Sequence, residues 1–145
     1  MDVPLPTIEL GPEWPVPGPA PVVRSKLHGH RGVAAYDPDR VEYVPLAPEY
    51  HRYLVSCASE AQALGVRDAF AASEALREPS DPRRLVFTVL PGHGIIIAEK
   101  WVAGTEPFQL IWEAIDDGAI EVVPPVPQGP FGYEPAPDGR MVIRT

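Results

Sequence analysis

Twenty prolines in a chain of 145 residues limit where regular pairing can occur, because each one fixes φ and withholds a backbone donor. Their placement is uneven: seven fall between Pro4 and Pro21 and six between Pro124 and Pro137. Residues 1–21 are therefore expected to form an extended arm with a polyproline II preference, carrying Leu5, Ile8, Leu10, Trp14 and Val16 as apolar groups that prefer cover. Residues 22–145 are expected to hold a single α+β domain, since this length suits one hydrophobic core.

Within that domain the apolar spacing changes from strand-like to helical and back. Val22 and Val23, Val33 to Tyr36, and Val41 to Leu46 read as strands, with Asp37-Pro38-Asp39 as the turn of a hairpin between the last two. Arg52 to Ser56 alternates around Tyr53, Val55 and Cys57 and reads as a further strand. Ser59 and Gln62 then have capping-box spacing, and Ala63, Val66, Phe70, Ser73 and Leu76 lie on one helical arc with Ala69 beside them. Pro79 and Pro82 stop this helix, and Gly65 is a point at which it can divide.

Leu85 to Leu90 and Gly94 to Val102 read as an antiparallel hairpin around Pro91-Gly92-His93. Phe108, Ile111, Trp112 and Ile115 follow at i, i+3, i+4 and i+7, with Thr105 as cap, Pro107 in the first turn and Gly118 as the left-handed stop. Ala119 to Val123 reads as a last strand before Pro124-Pro125. From residue 52 to residue 123 the order is βαββαβ, which implies a ferredoxin-like two-layer sandwich: a four-stranded antiparallel sheet with both helices on one face. Trp101 and Trp112 are expected in its core. In the tail, Pro137-Asp138-Gly139 reads as a turn before a peripheral strand at Met141 to Ile143.

Charge narrows the partners. Twelve basic against twenty acidic side chains give a net charge of −8, which repels phosphate backbones and anionic membranes and steers a basic protein surface inward. No apolar run approaches a membrane span, and the opening Met1-Asp2-Val3-Pro4 lacks a secretory pattern, so a cytoplasmic protein is expected. The single cysteine, Cys57, permits no internal disulfide.

The candidate chemistry is sparse. His28-Gly29-His30 with His93 from the hairpin turn is the one group of potential metal ligands, since imidazole suits zinc, copper and nickel. The spacing does not require the three to converge, so they are read first as loop histidines, and neither metal nor cofactor is assigned. Cys57 near His51 has the residue types of a thiol nucleophile but continues a strand alternation, which favours a small core residue. Ser56 and Ser59 lack a nucleophile-elbow context. Carboxylates pair at Asp37 and Asp39 and at Asp116 and Asp117, the second pair standing against the dipole of a helix end. There is no phosphate loop, and the aromatic pattern by which some sheets stack bases is missing.

These features favour a non-enzymatic protein-binding module of the adaptor, inhibitor or immunity type. It would present an acidic face made of Glu113, Asp116, Asp117 and Glu121 to a basic partner, with Trp14 as an anchor on the arm. Two alternatives stand beside it: a small-molecule site or small enzyme with its pocket near Gly92-His93-Gly94, and a metal site on His28, His30 and His93.

Overall fold

The computed structural model describes residues 23–50, 60–123 and 133–143. The arm with Trp14, the expected strand at 52–57, and His51, Cys57 and Ser59 lie outside the described residues. What is described is a mixed α/β protein built on a four-stranded sheet with three α-helices. The strands are β1 (Val23–Gly29), β2 (Val33–Tyr36), β3 (Val41–Tyr43), β4 (Leu85–Leu90), β5 (Gly94–Lys100), β6 (Ile120–Val122), β7 (Tyr133–Pro135) and β8 (Met141–Ile143). The helices are α1 (Glu60–Ala71), α2 (Glu74–Arg77) and α3 (Gln109–Asp117).

The main sheet runs β1-β5-β4-β3. β4 and β5 form the expected hairpin, with Phe87 opposite Ile97 and Val89 opposite Ile95. β1 adds antiparallel to β5, and β3 adds parallel to β4. This departs from the ferredoxin-like expectation: β6 pairs with β2 in a separate two-stranded ribbon instead of joining the main sheet. The expected hairpin between residues 33–36 and 41–46 is likewise not made. The backbone turns at Asp37, whose carbonyl accepts from the amides of Arg40 and Val41, and sends β2 and β3 to different sheets.

Strand alternation divides the core in two. Leu27, Leu85, Phe87, Val89, Ile95 and Ile97 point to one face and pack with Val33, Ile111, Ala114 and Ile120 of β2, α3 and β6. Val86, Leu90, Ile96 and Ala98 point to the other and pack with Val44, Leu46, Val66, Phe70 and Leu76 beneath α1 and α2. The helices thus cover opposite faces, not the same one. Both central strands are buried at every position except Lys100, as expected of a sheet covered on both sides.

Each face also holds a carboxylate that caps the helix above it, Glu99 fully buried and Glu42 partly so. Glu99 is fully buried; its Oε1 accepts from the Phe108 amide at 3.0 Å and from Ser25 Oγ at 3.1 Å, and its Oε2 from the amides of Leu110 and Ile111 at 2.8 and 3.2 Å. Thr105, the expected cap, instead donates to the Val102 carbonyl, and α3 starts after Phe108, held at φ 67°. On the opposite face Glu42 accepts from Ser73 Oγ at 2.5 Å and from the amides of Ala75 and Glu74 at 3.1 and 3.2 Å. Ser73, which itself accepts from the Leu76 amide, separates α1 from α2. The break is therefore not at Gly65, which lies inside α1 where a Cβ would come within 2.8 Å of the Tyr50 ring.

Candidate functional site

His28, His30 and His93 are brought together at one end of the sheet. β1 carries His28 opposite Ile96 and ends at Gly29, opposite Ile95, so His30 emerges beside the tip of the β4–β5 hairpin. His93 sits in that tip, between Gly92, which turns the chain at φ 71°, and Gly94. Gly94 has a different task. A Cβ there would collide with the Gly29 carbonyl and come within 3.0 Å of His30 Cα, so glycine permits β1 to approach closely enough to deliver His30.

The three imidazoles form a compact cluster, with ring centroids 5.2 Å apart for His28 and His30, 5.1 Å for His28 and His93, and 4.6 Å for His30 and His93. One ring nitrogen from each lies within 4.8 Å of the other two. His28 is buried, and its Nδ1 donates to the Ile95 carbonyl at 3.1 Å, which orients the ring. His30 is partly exposed. His93 is half-buried, and its Nε2 is a buried atom without a hydrogen-bond partner among the described residues, an arrangement that costs about 1–3 kcal/mol. Burial, and secondarily the charge of His30, hold His93 below the ordinary imidazole value of 6.5 and so keep it neutral.

Three imidazoles can act together as ligands of a borderline-soft cation. Tetrahedral zinc with nitrogen bonds of about 2.0–2.1 Å needs ligand atoms about 3.4 Å apart, so ring rotations of about 1 Å would close this triad on a metal. Lys26 stands two residues before His28 and thus on the same face of β1. It is buried, and desolvation lowers its ammonium to about 8.

The expected acidic face is exposed, with Glu113 and Asp116 on α3, Asp117 at its end and Glu121 on β6. Asp117 already has local work: it pairs with Arg40 at 2.9 Å and accepts from the Ala119 amide at 3.0 Å, which lowers its pKa and accounts for an acid at a helix C-terminus. The expected core tryptophans are surface residues. Trp112 is 38% exposed and Trp101 is 48% exposed with the Arg24 guanidinium 5.5 Å above its ring, because Ile111 and Ala114, not Trp112, occupy the inward face of α3.

A small cleft of about 80 Å³ lies away from the hairpin tip, lined by Arg40, Arg84, Leu110 and Glu113 among others. It is well below the roughly 300 Å³ at which metabolite sites begin. Sequence reasoning did not identify Glu99 or Lys26 as buried, since nothing local distinguishes a charged residue under a helix from one on a solvated strand. The chain matches no protein-family model, no curated protein and no solved structure.

Proposed function

We propose that the protein binds a divalent transition metal through His28, His30 and His93. The observation that supports this reading is the convergence of three imidazole nitrogens within 4.8 Å from two segments far apart in sequence, with His28 oriented from behind by a backbone carbonyl. Zinc, copper and nickel fit nitrogen donors, whereas magnesium and calcium prefer oxygen. Isothermal titration of metal-free protein with zinc is expected to give one site per chain. Replacing His30 or His93 by alanine is expected to weaken binding by more than about 100-fold, because loss of even a hydrogen bond behind a ligand costs about 10- to 100-fold. Both side chains are partly accessible, so these variants keep the fold; wild-type affinity in either would refute the reading.

A second reading concerns the outer face of α3, where Trp112 is exposed beside Glu113 and Asp116. An exposed tryptophan among acidic groups suits a docking surface for a basic protein. Reversing Glu113 and Asp116 to lysine should slow association with such a partner by about tenfold at low salt, with the effect fading as salt shortens the Debye length to about 8 Å. Surface plasmon resonance at two ionic strengths would measure this. An association rate indifferent to both changes would remove the acidic face from the account.

A further inference from the structure

Resting on the second reading, we infer that the small cleft beside α3 seats the C-terminal residue of a basic polypeptide. Its apolar side chain enters the cleft, its carboxylate meets Arg84, and the basic residues before it meet Glu113 and Asp116. Leu110, Glu113 and Ala114 line the cleft from one side of α3, at i, i+3 and i+4, while Pro82, Arg84 and Leu85 line it from the entry to β4. The strand entry is anchored: Leu85 pairs with both Val41 and Glu99, and the Arg84 carbonyl accepts from the Lys100 amide at 2.9 Å. A partner therefore meets a seat that is already formed. The volume of about 80 Å³ compares with about 10–15 Å³ for one water, which leaves room for a single aliphatic side chain against Pro82, Leu85, Leu110 and Ala114.

Charge selects the occupant. Arg40, the remaining lining residue, is neutralised by Asp117 at 2.9 Å, whereas Glu113 accepts from the Gln109 side chain at 2.9 Å and keeps its charge. Arg84 is exposed, and its guanidinium has no carboxylate partner among the described residues. The cleft thus combines aliphatic carbon with one available cation and one available anion from different elements. A guanidinium grips a carboxylate through two parallel bonds, and a chain end is where a carboxylate stands directly beside an apolar side chain. An aspartate or glutamate would instead carry its charge at the tip, into the apolar floor. A lysine in the cleft would meet two arginines. Asp116 lies one turn beyond Glu113, so the residues before the chain end face two carboxylates. The net charge of −8 acts in the same sense: it repels a bare carboxylate, and basic neighbours reverse that repulsion.

The test titrates the full chain into the peptide Gly-Lys-Arg-Lys-Lys-Leu, labelled with fluorescein at its N-terminus, and follows fluorescence polarisation at low salt. The free acid is expected to bind about tenfold more tightly than the C-terminal amide. Arg84→Gln should bring the acid to the affinity of the amide, whereas Glu113→Gln should weaken both peptides alike. Replacing the peptide's leucine by serine should weaken the acid by about tenfold, since the cleft then gains no apolar contact. Both protein substitutions lie at exposed positions, and an unchanged thermal melt shows that the fold is kept. Acid and amide bound equally, with both still weakened by Glu113→Gln, would overturn this inference and leave the second reading standing. If neither peptide binds at millimolar concentration, both fall. Free leucine displacing the labelled acid as well as unlabelled peptide does would also overturn the inference, by assigning the cleft to an amino acid.

Discussion

Glu99 carries four hydrogen bonds on two oxygens, three from backbone amides at the start of α3 and one from Ser25. A carboxylate in this position answers both the unpaired amides of a helix start and the positive end of its dipole. Glu99→Gln keeps the shape but turns an amide donor toward amide donors, and charge-assisted bonds are worth about 1.5–3 kcal/mol each. The expected loss in urea denaturation is about 2–4 kcal/mol; a loss below about 1 kcal/mol would mean that water takes the place of the missing acceptor. The same geometry explains why a left-handed Phe108 is tolerated. Its amide is held by Glu99 and by Ser25, so the bonds fix a conformation that a side chain otherwise resists.

At the scale of elements, much was legible from spacing alone. The β4–β5 hairpin, α3 with its Gly118 stop, β6 and the turn at Pro137-Asp138-Gly139 all stand within a few residues of where periodicity puts them. The pairing of those elements was not legible, because periodicity fixes what a segment is and not which segment lies beside it. One clue was nevertheless present. Leu85 to Leu90 and Ile95 to Ala98 lack the polar alternation of a sheet with one wet face, and such runs mark strands covered on both sides. The error over Trp112 has a similar origin: an apolar stripe four residues wide admits two orientations, and Ile111 and Ala114 take the inward one. β1 was recognised only at its start, since Arg24, Ser25, Lys26 and His28 read as polar although three of the four are buried. For the candidate site, the three histidines were visible as a set, but their convergence depends on β1 pairing with β5, a contact no local pattern encodes.

Considered as a whole, the molecule is tied together by contacts that are remote in sequence. His28 reaches the carbonyl of Ile95, 67 positions on, and the Tyr36 hydroxyl donates to the Asp138 carbonyl, 102 positions on. Within the main sheet only β4 and β5 are joined by a tight turn. Closing long loops is entropically costly before any contact rewards it, so such a topology folds slowly, on the order of milliseconds to seconds. The β4–β5 hairpin is the natural nucleus, and β1, at the sheet edge, is added after it. In stopped-flow experiments Val89→Ala should therefore mainly retard folding, while Leu27→Ala should mainly hasten unfolding; the reverse pattern would place β1 in the nucleus. His28 and His30 arrive with β1, whereas His93 is already present in the hairpin. The triad is thus completed only when β1 docks on the hairpin, and a chain without that pairing lacks it, so metal capture would register the joining of β1 to β5.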